Sequence, residues 1–216
     1  MQTAIGIISY LPNDTIIRKV RIKRFQDLLK QCGMIFPETP VYVIAQNYQK
    51  ADYALLPSSV HIIHYDKALG ITNARKELRK TVINNDIDYC IMFDDDCILE
   101  GTLSDGTRFI ELLKNNPNKY ICHNNDTFKL CALSKHVLQL NEIPDVSVQD
   151  GTGAEDMAFM RILYKKYPEL QIVGYNWGAL REVSIWYGDR YSTWSQSNIS
   201  ELLKNTQKYI KTQLEK

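Results

Sequence analysis

Short apolar runs of strand composition alternate with longer stretches of helical periodicity through the first half of the chain. Parallel strands need a long crossover connection, which is usually a helix, so this alternation predicts a parallel sheet. The last predicted strand is almost continuously apolar, which is typical of a strand covered on both faces. We therefore expect an α/β fold with a mostly parallel central sheet and helices on both faces. The predicted strands cover residues 4–10, 40–45, 60–65 and 88–93.

Length and charge limit the partners of this chain. With 216 residues, of which 44% are hydrophobic, it has the profile of a single domain that buries a substantial core. A formal net charge of +1 gives no general attraction to nucleic acid or to an anionic membrane, so such a partner would need a local basic patch. Nucleic acid is therefore not an expected partner. The richest patch is interpreted as the solvated face of the first helix and consists of Arg18, Lys19, Arg21, Lys23 and Arg24.

Cysteine usage and apolar runs indicate the compartment. The five cysteines are odd in number and lack the Cys-x-x-Cys spacing of metal sites. Reduced thiols fit the cytoplasm, because disulfides form in oxidising compartments. No basic leader precedes the first short apolar run, and no run is as long as a transmembrane helix requires. The sequence thus predicts a cytoplasmic protein with no signal peptide and no membrane span.

Three consecutive aspartates, Asp94, Asp95 and Asp96, follow the apolar strand directly. Adjacent carboxylates repel one another and resist desolvation, so at the mouth of a buried strand they need a cation or hydrogen-bond donors. Because they offer only oxygen atoms, Mg²⁺ or Mn²⁺ is favoured over zinc. In extended backbone Asp94 and Asp96 point to one side and Asp95 to the other. The alternative interpretation is a solvated acidic turn.

A second acidic pair, Glu155 and Asp156, stands where a glycine-rich loop enters an apolar helix pattern. Acidic residues at a helix start are favourable partners of the helix dipole, and this explanation suffices for the pair taken alone. Beside the three aspartates, the pair gains a second interpretation as a base that takes a proton from an attacking hydroxyl. The sequence contains neither Gly-x-x-x-x-Gly-Lys-Ser/Thr nor Gly-x-Gly-x-x-Gly, so ATP and NAD sites lose support.

With these motifs the sequence resembles the GT-A glycosyltransferases, in particular the inverting enzymes of glycosyltransferase family 2. The resemblance covers about residues 4–165, and its pieces occur in the family's order. It implies one Rossmann-like GT-A domain in which residues 1–104 bind the donor and residues 105–197 form the acceptor and catalytic half. Independently of the resemblance, the helical spacing of the apolar residues predicts a C-terminal amphipathic helix over residues 198–216. The four matching pieces are the strand ending at Ser9 and Tyr10, the segment 69–75, the Asp-x-Asp-like element 93–96, and the element 153–156 followed by Arg161.

The resemblance also implies a role for each matching residue. Asp96 would bind a Mn²⁺ or Mg²⁺ ion with Asp94 beside it, and Asp156 would act as the base, with Glu155 as the less favoured candidate. Many relatives carry an acidic residue after the second strand where this chain has Gln46, which leaves the identity of the nucleotide base open. A later histidine ligand is also missing, and Asp189 is a weak substitute. The residues expected to bind the nucleotide-sugar are Ser9, Tyr10, Gln46, Arg75, Asp94 and Asp95.

The implied reaction is a metal-dependent transfer of a sugar from a nucleotide-sugar, with a UDP-sugar as the expected donor, to a hydroxyl of a glycan or other acceptor. The expected stereochemical outcome is inversion. Three alternatives stay open: a retaining transferase of the same fold, a catalytically silent sugar-binding module, and a metal-dependent nuclease. Packing of the C-terminal helix on its own domain is favoured over a homodimer contact. Ordinary packing is also favoured over sugar stacking for Trp177, Trp186, Tyr187 and Trp194.

Overall fold

A seven-stranded sheet forms the centre of the fold. The computed structural model describes residues 1–122, 130–146, 155–172, 181–184 and 196–215. The strands are β1 Thr3–Tyr10, β2 Val41–Gln46, β3 Val60–Tyr65, β4 Tyr89–Asp94, β5 Cys97–Glu100, β6 Tyr120–Cys122, β7 Cys131–Ser134, β8 Gln171–Ile172 and β9 Arg181–Ser184. The helices are α1 Thr15–Ile35, α2 Lys50–Tyr53, α3 Ile71–Asn84, α4 Leu103–Asn115, α5 Lys135–Leu140, α6 Glu155–Lys166 and α7 Gln196–Leu214.

The sheet has the strand order β3-β2-β1-β4-β7-β6-β8, and β5 and β9 form a separate antiparallel pair. The pairs β1–β2, β1–β4, β2–β3 and β6–β8 are parallel, whereas β7 runs antiparallel to both β4 and β6. The chain reverses its direction of winding between β1 and β4, which is the position where ligands bind in open α/β sheets. The fold therefore brings the carboxyl ends of β1, β2 and β4 to one edge.

Two apolar layers cover the two faces of the sheet. Along β1, Ile5 and Ile7 pack in one layer, and Ala4 and Ile8 pack in the other, as the alternation of a strand requires. The first layer contains the apolar residues of α1 and α4, and the second contains those of α3, α5 and α6. The central strands are therefore buried on both faces, as the apolar run of β4 predicts.

Gly6 allows α3 to pack closely on the sheet. A Cβ atom at this position would lie 2.6 Å from Sγ of Cys90 and 2.8 Å from Cδ1 of Leu78, which is closer than side-chain contacts allow. Any larger residue would therefore require the side chains of Cys90 and Leu78 to shift. The close approach matters for the site described below, because α3 carries Arg75 to the same edge of the sheet.

The predicted fold class is confirmed: a single α/β domain contains a mostly parallel sheet with helices on both faces. β6, β7 and β8 extend the sheet that β1 to β4 begin, so the two predicted halves share it. α7 packs on α6, where Ile210 joins Ala158 and Ile162; the predicted homodimer stays a prediction. All five cysteines are free thiols. Among the helices that the structure describes, none combines the length and apolarity of a membrane span.

Candidate functional site

Three of the predicted site residues end neighbouring strands at the carboxyl edge of the sheet. Tyr10 ends β1, Gln46 ends β2 and Asp94 ends β4. The strand register pairs Tyr10 with Gln46, and it pairs Ile8 with Asp94. These residues therefore lie side by side across the three strands, next to the point where the winding reverses.

Asp95 fastens the end of β1 to the turn that follows β4. Its Oδ2 accepts a hydrogen bond of 2.6 Å from Oγ of Ser9 and one of 3.2 Å from the backbone N–H of Tyr10. Burial raises the pKa of the Asp95 carboxyl, whereas the charge of Arg21 and these two hydrogen bonds lower it. Ser9 is buried and also lies 2.6 Å from the hydroxyl of Tyr48. Asp95 thus holds the backbone at the edge of the site.

Arg75 connects the two acidic motifs. Its side chain is 3% exposed, and its Nη2 donates to Oδ1 of Asp94 at 3.1 Å. Its Nε donates to Oε1 of Glu155 at 2.6 Å, and Glu155 is itself 1% exposed. One buried guanidinium therefore joins the end of β4 to the start of α6. The sequence predicts a contact between Arg75 and the nucleotide; that role stays a prediction, and the structure adds this bridge between two carboxylates.

Asp156, the second residue of α6, is a site carboxylate whose pKa is raised into the neutral range. It is half-buried, and its Oδ1 accepts a hydrogen bond of 2.8 Å from the backbone N–H of Met157. Burial, and then the neighbouring charge of Glu155, raise its pKa to about 7, although Arg75 acts in the opposite direction. A group that titrates near neutral pH is suited to accept and release protons.

Asp96 lies half-buried in the turn between β4 and β5. Within the described parts of the chain, no three side chains of the His, Cys, Asp or Glu type are arranged to hold a metal ion. Asp96 and Asp94 therefore offer at most two carboxylates, and Asp94 already accepts from Arg75. This donor set fits Mg²⁺, which usually takes one or two carboxylates and completes its shell with water and phosphate oxygens. Mn²⁺ suits the same oxygen donors.

Gln46 fixes the loop that leads into α3. It is 4% exposed, and its Oε1 accepts a hydrogen bond of 2.8 Å from the backbone N–H of Leu69. The next residue, Gly70, has φ 78°, a left-handed conformation that favours glycine. No acidic residue occupies the first turn of α3, so the helix dipole is not neutralised there. Gln46 thus lies at the carboxyl edge of the sheet, and its side chain stabilises the loop that leads into α3.

Two arginines of the basic patch turn towards this edge, which corrects the interpretation of the whole patch as a solvated face. Arg18 forms an ion pair with Asp52 and donates to the backbone carbonyl of Asn47 at 3.0 Å. Arg21 donates to the backbone carbonyl of Tyr10 at 3.1 Å. They hold the loops after β1 and β2, because a guanidinium can donate to several carbonyl and carboxylate oxygens at once.

Several predicted features lie outside the described residues. They are the glycine-rich loop at 151–154, Asp189, and the aromatic residues Trp177, Trp186, Tyr187 and Trp194. Sequence reasoning missed Tyr48 and the bridge from Arg75 to Glu155. The second could have been found, because Arg75 lies on the same helical face as the apolar residues Leu78 and Val82.

No protein-family model matches the sequence, and no curated protein matches it either. Solved structures do share the architecture. TarS from S. aureus in complex with UDP-GlcNAc aligns with a TM-score of 0.57 and 10% identity, over 97% of this chain and 66% of that chain. A cytidylyltransferase from Leptospira borgpetersenii aligns with a TM-score of 0.54 and 12% identity, over 97% of both chains. This chain shares its overall fold with both structures.

That likeness concerns the fold alone, since the sequence identities are low. The complex of the same TarS fragment with UDP aligns with a TM-score of 0.57 over 65% of the fragment. This chain therefore spans about two thirds of the length of the TarS fragment.

Proposed function

We propose that this protein transfers a glycosyl group from a nucleotide-sugar, a UDP-sugar, to a hydroxyl of a glycan or similar acceptor, with inversion and with Mn²⁺ or Mg²⁺. The bridge formed by Arg75 is the observation that carries the proposal. It joins Asp94, at the carboxyl end of β4, to Glu155, at the start of α6. Both acidic motifs therefore adjoin one point at the ligand-binding edge of a nucleotide-sugar transferase fold.

The nucleotide would bind over the ends of β1 and β2. Ser9, Tyr10 and Gln46 stand at these ends, and the Asp95 carboxylate accepts hydrogen bonds from the hydroxyl of Ser9 and from the backbone N–H of Tyr10. A site held in this way is ordered before the ligand arrives, so less conformational freedom is lost on binding. We assign Asp95 the role of supporting the nucleotide pocket.

The diphosphate would lie beside the turn after β4, where Asp96, with Asp94 next to it, would hold the divalent cation. When bound, the cation neutralises the negative charge that develops on the departing diphosphate. Arg75 keeps Asp94 in position and balances part of its charge, because the guanidinium is buried and always ionised.

Asp156 would act as the general base. The acceptor oxygen forms a bond with the anomeric carbon, the bond from that carbon to the diphosphate oxygen breaks, and the hydroxyl proton passes to the Asp156 carboxylate. The nucleoside diphosphate leaves with the bonding electron pair. Glu155 is less suited to this role, because its carboxylate is buried and accepts from Arg75. A single in-line attack of this kind inverts the anomeric configuration.

The environment of Asp156 favours the activation of a hydroxyl over the transfer of a nucleotidyl group. Nucleotidyl transfer is the activity that the name of the cytidylyltransferase denotes. A neutral hydroxyl is a poor nucleophile until a base removes its proton, and a carboxylate with a pKa of about 7 is a competent base near neutral pH. A phosphate oxygen is already ionised when it attacks, so a transfer between two phosphates needs no such base.

The proposal is tested by thermal-shift measurements with UDP-, GDP- and dTDP-sugars, with and without Mn²⁺. A ligand that binds only the folded state raises the melting temperature, and we expect the largest rise with a UDP-sugar and Mn²⁺ together. Asp96→Asn should lose the effect of Mn²⁺. The matched control is Glu38→Gln, an exposed carboxylate before β2 at the opposite edge of the sheet, which should behave like the wild type. No shift with any nucleotide-sugar would overturn the proposal.

A further inference from the structure

The basic patch on α1 divides into two groups of side chains. Arg18 and Arg21 turn towards the loops at the site edge. Lys19, Lys23 and Arg24 are exposed on the opposite side of the helix. In the part of the chain that the structure describes, these three cations form no ion pair with a carboxylate. They are therefore available to a negatively charged partner.

Two aliphatic side chains stand among these cations. Ile16 is 76% exposed and Val20 is 44% exposed, although both residue types are usually buried. Their spacing places them on one helical stripe with Lys19, Lys23 and Arg24. The twelve residues 15–26 contain five basic and no acidic residues. We call Ile16, Lys19, Val20, Lys23 and Arg24 the outer α1 face.

The fold does not account for the composition of the outer α1 face. The helix dipole favours acidic residues near the N-terminus and basic residues near the C-terminus, yet the first turn of α1 contains no acidic residue and its last turn no basic one. The apolar residues that pack α1 onto the sheet lie on its other side, for example Phe25 and Leu29. Ile16 and Val20 therefore contribute little to the core while they remain exposed to water.

We propose that the outer α1 face binds the surface of an anionic lipid bilayer. A helix with interleaved cations and aliphatic residues can lie in the interface, where cations meet lipid phosphates and aliphatic groups leave water. A nucleic acid would attract the same cations but would give Ile16 and Val20 no apolar surroundings. A bilayer therefore explains both parts of the face, and charge complementarity identifies its lipids as anionic.

This surface lies close to the candidate site but does not depend on the proposed transferase activity. α1 begins at Thr15, shortly after the loop that leaves the carboxyl end of β1. Asp14, in that loop, caps the helix by accepting from the N–H groups of Ile16 and Ile17. A bilayer bound at Ile16 would thus border the edge of the sheet where the site is located.

Vesicle co-sedimentation tests the inference with the full chain. We expect binding to vesicles of phosphatidylcholine with phosphatidylglycerol, weaker binding at high salt, and little binding to phosphatidylcholine alone. Each removed charge should weaken binding about fivefold, so the triple variant Lys19→Gln, Lys23→Gln, Arg24→Gln should lose roughly 100-fold. The double variant Ile16→Ser, Val20→Ser should bind more weakly and keep the salt dependence of the wild type.

The matched control removes the same charge from another exposed helix surface, with Lys204→Gln, Lys208→Gln and Lys211→Gln on α7. It should bind like the wild type, and circular dichroism should show that all variants fold. Absence of vesicle binding, or equal losses in the α1 and α7 triple variants, would contradict the inference. Tight binding of an oligonucleotide that is unchanged by Ile16→Ser and Val20→Ser, without vesicle binding, would assign the face to nucleic acid instead.

Discussion

The two acidic motifs consist of neighbouring carboxylates, but the fold holds these carboxylates differently. At the end of β4 and in the turn after it, Asp94 accepts a hydrogen bond from Arg75. The neighbouring Asp95 accepts two hydrogen bonds from β1, one from Ser9 and one from Tyr10. At the start of α6, Glu155 accepts from Arg75, whereas Asp156 accepts only from the next backbone N–H in the described structure. Burial raises the pKa of both Asp95 and Asp156, and the charge of Glu155 adds to this effect at Asp156, whose pKa rises to about 7.

This comparison indicates that, within each acidic motif, one carboxylate stabilises the framework and another is available for the reaction. Hydrogen-bond donors around Asp95 stabilise its ionised form and offset part of the effect of burial. At Asp156 the negative charge of Glu155 adds to the effect of burial, so the carboxyl holds its proton more tightly than an ordinary aspartic acid does. We infer that Asp95 and Glu155 fix the framework and that Asp96 and Asp156 face the reactants.

The substitution Asp156→Asn should have the largest effect on activity. An amide cannot take the acceptor proton, so transfer should fall by about 10²–10⁴-fold, the usual contribution of a general base. Steady-state kinetics with the donor identified by thermal shift would measure it, while donor binding should stay within twofold of the wild type. Glu169→Gln, an exposed carboxylate after α6, is the control. Full transfer activity in Asp156→Asn would show that this separation of roles is wrong.

The substitution Arg75→Met should have the largest effect on stability. It leaves the carboxylates of Asp94 and Glu155 without their shared cation, and breaking a buried ion pair on one side typically costs about 3–5 kcal/mol. Urea unfolding would measure the change. Arg24→Met removes an exposed arginine and should change the unfolding free energy by at most about 0.5 kcal/mol. Adding Glu155→Gln to Arg75→Met should restore part of the loss; equal stability of Arg75→Met and Arg24→Met would contradict the bridge.

The raised pKa of Asp156 should also make the free energy of unfolding depend on pH, with a smaller effect than the substitutions above. Because the pKa of Asp156 is raised, the folded protein binds a proton that the unfolded chain has released between about pH 4 and pH 7. The stability contributed by this proton is present at low pH and is lost as the pH rises through about 7, by at most about 1.4 kcal/mol per pH unit. Urea unfolding at several pH values should show this loss in the wild type relative to Asp156→Asn. Parallel curves for the two proteins would place Asp156 among the ordinary carboxylates.

The sequence predicts the parallel part of the sheet well, because its signals are local. The strand patterns at 4–10, 60–65 and 88–93 correspond to β1, β3 and β4. Each predicted end lies within one residue of the end in the structure. Alternation along extended backbone also predicts that neighbouring aspartates point apart. In the structure Asp94 accepts from Arg75 on α3, whereas Asp95 accepts from Ser9 and Tyr10 on β1.

The ion pairs of the site, in contrast, depend on contacts between distant parts of the chain. Glu155 and Arg75 are 80 residues apart in the sequence, and nothing local in either segment specifies the partner. The same holds for Arg18, whose partner Asp52 is on the short helix α2 that the sequence pattern does not reveal. Charged residues that look like a uniform patch therefore divide between the site and the solvent once the loops are in place.

A crystal structure of the protein with Mn²⁺ and a UDP-sugar would test directly whether Asp96 holds the cation and whether Asp156 faces the sugar. We expect an anomalous manganese signal about 2.1 Å from a carboxylate oxygen of Asp96, with the diphosphate beside it and the Asp156 carboxylate facing the anomeric carbon. A diphosphate bound at another edge of the sheet, or an Asp156 side chain turned away from the sugar, would contradict it.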